Sequence, residues 1–292
     1  MIVNRLWQEF FGDGIVKTSE DFGIMGDAPA NPELLDWLAS EFRSDWDFKR
    51  MIKLIVTSAT YRQAGMATPA KVEKDPANRL LSRGPRFRMD AEVIRDYALS
   101  VSGLMVPTIG GASVKPYQPE NVWEAVGMRE SNTKIYQQGR GQELYRRSMY
   151  SFWKRMAPPA SLEVLNATNR ETSCLRRERT NTPLQALVTL NDPQFIEAAR
   201  VLAEKIMKLP ADKQVAEAGR RTLLRSFTAA ELPLMQDSHA KLLVHYRARA
   251  DDVKALLAVG EHKADASLPS VDLAAMTMLC NELLNLDEVL NK

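Results

Sequence analysis

Along most of this chain apolar residues recur at intervals of three and four, the spacing that lines one face of an α-helix. Val3, Leu6, Trp7, Phe10 and Phe11 form the first such stripe, directly after Met1 and with no cap before it, which predicts a chain that continues upstream. Asn31, Pro32 and Glu33 read as an N-cap, a proline at the first helical position and a carboxylate that suits the helix dipole, ahead of Leu34, Leu38 and Phe42. A stripe from Asp47 takes in Phe48, Met51, Ile52, Ile55 and Ala59, and another, opened by Asp90, takes in Val93, Ile94, Tyr97 and Val101 before Gly103.

From about residue 104 to 181 the regular spacing is lost. Gly110, Gly111, Pro116, Pro119, Gly139, Gly141, Pro158 and Pro159 interrupt each apolar run, which predicts loop. Within it, residues 147–154 (RSMYSFWK) suit either a short strand or a helical turn. Helical spacing returns at Thr182, where Thr182, Pro183 and Gln185 form a capping-box pattern. Asp192 and Pro193 then open the cleanest stripe in the chain: Phe195, Ile196, Ala199, Leu202, Ala203 and Ile206. Further helices are expected near 215–227, 241–249 and 273–290. The expected fold is mainly α, a multi-helix globular body with a long irregular, Gly/Pro-rich middle region and at most a little β. It is read as one module over 1–292, with an N-terminal helical part (1–103), a loop-rich middle (104–181) and a C-terminal helical part (182–292).

Composition changes this picture little but excludes several classes. With 45% apolar and 26% charged residues over 292 positions, the chain has the make-up of an ordinary globular protein, which sets aside disorder and fibrous repeats. Lys and Arg number 39 against 37 Asp and Glu, too small an excess for the footprint of phosphate-backbone binding, so nucleic acid is not expected as a partner. No run nears the roughly 18 apolar residues of a membrane span, and the N-terminus lacks the sections of a signal peptide. Cys174 and Cys280 lie far apart without CxxC or CxxCH spacing, which excludes a zinc ribbon or covalent haem and makes two buried thiols the expectation, with a single disulfide as the alternative. No metal site and no cofactor are expected in this segment. His239, His245 and His262 lack metal-ligand spacing and are expected at the surface.

The most unusual stretch is 170–185 (RETSCLRRERTNTPLQ), which sets Arg170, Arg176, Arg177, Arg179 and Asn181 ahead of a capped helix. Guanidinium groups match carboxylate, sulfate or phosphate, and helix N-termini add unpaired N–H groups, so these five residues are candidate anion ligands. The competing interpretation pairs the same arginines with Glu171, Glu178 and other carboxylates as anchors of an irregular segment. Glu120 and Glu124 flank Trp123, an arrangement able to hold a sugar, although acids so spaced also occur on solvated helix faces. No catalytic nucleophile can be nominated, since there is no GxSxG elbow and no histidine near Cys174.

Seven segments carry a resemblance: residues 4–23 (NRLWQEFFGDGIVKTSEDFG), 31–42 (NPELLDWLASEF), 54–63 (LIVTSATYRQ), 115–123 (KPYQPENVW), 144–159 (LYRRSMYSFWKRMAPP), 176–200 (RRERTNTPLQALVTLNDPQFIEAAR) and 283–290 (LLNLDEVL). On these the chain resembles the bacterial domain of unknown function 1553 family, the C-terminal module of planctomycete proteins that carry a cytochrome c domain near the N-terminus. The resemblance implies a parent protein exported to the cell envelope, with its haem motif and signal peptide upstream, and brings no catalytic residues with it. Two departures stand out. Asn166 and Thr168 replace an aspartate and a proline of the family pattern, and Pro233 is expected to interrupt a helix capped at Thr228.

The function expected is a non-catalytic binding or scaffold module that engages an anionic ligand, such as an acidic polysaccharide, or the upstream domains of its parent. The alternatives are an enzyme acting on complex polysaccharide, with Tyr117 or Tyr145 in proton transfer, and a docking module for the parent's cytochrome domain.

Overall fold

Wherever a side-chain cap and an apolar stripe coincide in the sequence, the computed structural model, which describes residues 1–291, forms a helix. Asn31 accepts a hydrogen bond from Leu34 N at 3.0 Å, Asp47 from Lys49 N at 2.8 Å, and Asp192 from Gln194 N at 3.0 Å. Each satisfies an N–H group that the helix itself leaves unpaired. The described residues are mainly α-helical, and β structure among them is confined to three isolated bridges, Val106 with Arg146, Val114 with Ser151, and Lys154 with Ala157. They divide into two compact units.

The first unit comprises Met1–Arg88 and Ser173–Glu178. It contains α1 (Ile2–Phe11), α2 (Pro32–Asp45), α3 (Phe48–Thr57) and the short α4 (Ala59–Arg62) and α5 (Pro69–Lys74). Val3, Trp7 and Phe11 of α1 share a core with Leu38 and Phe42 of α2 and Met51 and Ile55 of α3. Burial of such side chains contributes about 1.5–3 kcal/mol each. Beside that apolar stripe Asn4 is also buried, because its amide fixes the chain that follows α1: Oδ1 accepts from Val16 N at 2.8 Å, and Nδ2 donates to Val16 O at 2.9 Å. Helix α2 closes on Trp46 at φ 57°, ψ 23°, a left-handed cap usually given to glycine; in a bulky residue it costs about 1–2 kcal/mol.

The second unit comprises Met89–Thr172 and Arg179–Asn291. In chain order it holds α6 (Ala91–Ser102), α7 (Val122–Val126), α8 (Ala160–Val164), α9 (Pro183–Asn191), α10 (Pro193–Ile206), α11 (Ala211–Leu223), α12 (Glu231–Arg247), α13 (Ala250–Leu257), α14 (Ser270–Leu284) and α15 (Asp287–Leu290). Its core is built on α10 and α14. Ala198, Ala199, Leu202 and Ala203 of the first and Leu279, Cys280 and Leu283 of the second are fully buried, and the alanines let the two helices approach closely. Between α6 and α9 the only α-helical residues are those of α7 and α8. The 147–154 segment, open between strand and helical turn in the sequence, forms a 3-10 turn at Ser148–Tyr150 with Ser151 in a bridge.

One expectation is corrected here. Pro233 does not interrupt the helix near Thr228, because it falls in the first turn of α12, where a missing N–H is harmless. Thr228 and Glu231 cap that turn reciprocally: Thr228 N donates to Glu231 Oε2 at 2.8 Å, and Glu231 N to Thr228 Oγ1 at 3.3 Å.

Candidate functional site

The arginine segment is divided between the two units. In the first, Arg176 lies at the surface with Nη2 3.1 Å from Glu20 Oε1. Gln8 Nε2 donates to Leu175 O at 3.4 Å, and the Cys174 thiol to Arg176 O at 3.2 Å. Arg177 is half-buried. In the second, Arg170 takes a left-handed backbone at φ 62° and sets its guanidinium 4.5 Å from the centre of the Trp153 ring, whose Nε1 donates to Asn169 O at 3.1 Å. Arg179 Nη2 stands 3.7 Å from Asp90 Oδ1, while Asn181 is exposed. Thr180 Oγ1, between them, accepts from Asn166 Nδ2 at 2.7 Å and from Gln185 Nε2 at 3.0 Å.

Cys174 is exposed while Cys280 is fully buried, which corrects the expectation of two buried thiols. Burial pushes the Cys280 thiol pKa up, so that residue stays protonated and behaves as a small apolar side chain. His239 is likewise not a surface residue. It is half-buried in α12, its Nε2 is enclosed without a hydrogen-bond partner, and burial lowers its pKa. Trp123 is 2% exposed and so belongs to neither a sugar platform nor a solvated helix face. Tyr136 meets its ring edge-on at 4.8 Å, and the Lys154 and Lys115 ammonium groups lie 4.8 and 5.4 Å from its centre.

A second constellation escaped the sequence reading. Tyr117 and Tyr145 converge on Glu197 of α10, which is 0% exposed. Tyr117 donates to Oε2 and Tyr145 to Oε1, each at 3.0 Å, and the backbone N–H of His262 adds a bond to Oε1 at 2.6 Å. The Tyr117 hydroxyl also accepts from Glu261 N at 2.7 Å. Burial and the neighbouring carboxylate push the Tyr117 pKa up to about 12 and raise that of Tyr145 as well, so both phenols remain hydrogen-bond donors at neutral pH. Gly260, at φ +84°, passes so close that a Cβ there would lie 2.5 Å from the Glu197 carboxyl. Glu197 lies off the apolar stripe of α10, on the side it shares with Arg200 and Glu204, where helical spacing alone predicts a solvated position; its burial comes from packing.

Arg95 of α6 forms a comparable centre. It is 1% exposed, and its guanidinium donates to Leu144 O at 2.7 Å, Arg146 O at 2.9 Å, Ser148 Oγ at 3.1 Å and Gln194 Oε1. Burial lowers its pKa to about 10, which leaves it charged at neutral pH. Arg200 repeats the pattern with the carbonyls of Leu257, Val259 and His262. These buried groups tie irregular segments onto α6 and α10. Among the described residues no group of three or more His, Cys, Asp or Glu is placed to hold a metal ion, and no helix is long and apolar enough to cross a membrane.

A family model described as "PSD1: Protein of unknown function (DUF1553)" matches residues 1–238. The chain belongs to that family. Six of the seven segments that carried the resemblance lie inside the matched range, and 283–290 lies beyond it. No curated protein and no solved structure matches the chain.

Proposed function

We propose that this member of the family is a non-catalytic binding or scaffold module of an exported cell-envelope protein, and that it engages an anionic ligand or a neighbouring domain through the segment 170–181. The observation that carries this reading is the state of Arg176. Its side chain is 44% exposed, and among the described residues its ion pair is with Glu20, itself 47% exposed. Such a pair contributes about 0–1 kcal/mol, so a sulfate or carboxylate on a polymer or protein can take the place of Glu20 at little cost. Arg170, Arg177, Arg179 and Asn181 are the further candidate ligands on the same stretch.

The buried cluster argues against the polysaccharide-cleaving alternative as the better reading. Tyr117 and Tyr145 bond to a carboxylate sealed from solvent, and a group that must exchange protons with substrate needs access to it. We assign them to bracing.

The test is binding of the full chain to polygalacturonate, dextran sulfate and the upstream domains of the parent protein, with Arg176, Arg177 and Arg179 changed to alanine together. The expected result is a loss of at least tenfold in affinity for one of these, with wild-type binding that weakens as salt rises. Unaltered binding to all three would remove the anion reading.

A further inference from the structure

Helix α2 ends in a way that its sequence does not require. Trp46 occupies the left-handed cap, a backbone conformation that α6 gives to Gly103, and Trp46 is also 61% exposed. A bulky apolar residue therefore sits where both backbone sterics and solvation disfavour it. Strained backbone positions of this kind cluster at functional sites.

Its surroundings show what it can do. Trp46 stands edge-on to the buried Phe42 ring, with centres 5.3 Å apart, and Phe48 stands edge-on to the same ring at 4.9 Å. Phe48 is 49% exposed, so one buried ring props two solvent-facing aromatic side chains at the corner between α2 and α3. A fixed polar rim adjoins them. Arg50 Nε lies 2.6 Å from Asp45 Oδ2, its Nη1 3.0 Å from Glu41 Oε2, and its Nη2 donates to Ser44 Oγ at 3.1 Å. Asp45 Oδ1 also accepts from Asp47 N at 3.0 Å.

We propose that this corner, with Trp46 and Phe48 as the platform and Glu41, Asp45 and Arg50 as the rim, is a binding site for a neutral saccharide chain. Aromatic faces pack against the C–H faces of pyranose rings, and carboxylate and guanidinium groups held in place by one another accept and donate to hydroxyls without being reordered. The charges select the ligand. Arg43, Lys49 and Arg50 balance Glu41, Asp45 and Asp47, so the corner has no net charge to draw a polyanion or an anionic membrane. The site is independent of the arginine segment: it uses other residues and a ligand of different charge.

The test is native-gel retardation of the full chain by hydroxyethyl cellulose, galactomannan and xyloglucan, with phosphatidylcholine vesicles as a separate arm. At least one neutral polysaccharide should retard the wild type. Trp46→Gly, which suits the left-handed backbone, should keep the thermal midpoint and weaken retardation at least tenfold. Trp46→Asn, also tolerant of that backbone, supplies the same readout if the glycine variant fails to fold, and Phe48→Ala should weaken binding too. Arg176→Ala should leave it unchanged, so failure here and failure of the anion reading are separable. The proposal falls if no neutral polysaccharide retards the chain, if both Trp46 variants bind as the wild type does, or if Trp46 governs vesicle binding instead.

Discussion

Around α6 and α10 the arginines are buried and their donors end mainly on backbone carbonyls, whereas Arg170, Arg176 and Arg179 of the segment 170–181 face carboxylates or an aromatic ring at or near the surface. The side chain is the same in both regions. What differs is the cost of losing it. A carbonyl stranded in the interior has no water to turn to, while a surface carboxylate does. Arg95 and Arg200 are therefore part of the framework, and Arg176 is available for exchange with a partner.

Arg95→Ala should break the first region outright. It strands Leu144 O and Arg146 O, together with the Gln194 side chain, and each stranded buried acceptor costs about 1–3 kcal/mol, giving an expected loss of about 3–5 kcal/mol in urea unfolding. Arg95→Lys should not rescue it, because an ammonium cannot present the guanidinium's planar fork. A loss under about 1 kcal/mol would mean that the buried arginine is no more structural than the exposed one.

His239 offers an intermediate case, half-buried with an enclosed nitrogen that has no hydrogen-bond partner among the described residues. Burial lowers its pKa, and Asp272 acts in the opposite direction. Because the folded state resists protonation, the unfolded chain takes up the proton first as pH falls. The stability that neutral His239 contributes is thus present above its ordinary pKa of about 6.5 and is lost as pH falls through the folded value. Thermal midpoints between pH 7.5 and 5 should drop less steeply in His239→Gln than in the wild type; parallel profiles would show that another group sets the slope.

Arg176→Ala should have the smallest effect on stability, about 0.5 kcal/mol or less, since it removes one exposed ion pair. A loss comparable to that of Arg95→Ala would make the arginine segment an anchor and erase the contrast.

Helix starts were legible because their determinants are local. Asn31, Asp47, Thr182 and Asp192 each announce a helix within three residues of themselves. Pro233 misled for the complementary reason: its effect depends on which turn it occupies, and Glu231 decides that by bonding back to Thr228. Cys174 and Trp123 were misjudged because exposure is a property of packing. No spacing in the sequence places an indole beneath Tyr136, Lys115 and Lys154.

By itself the sequence determined the mainly α class, the starts of α2, α3, α6, α9 and α10, the apolar faces of α1 and α10 and the family. All of these follow from patterns within a few turns of chain or from the order of residues. Only tertiary structure brought Tyr117, Tyr145 and Glu197 together, closed Arg95 onto the carbonyls of residues 144 and 146, and set Trp46 and Phe48 edge-on to one buried ring. Hydrogen bonds and ring contacts form between groups that share space, and the partners of Glu197 lie up to 80 positions away along the chain.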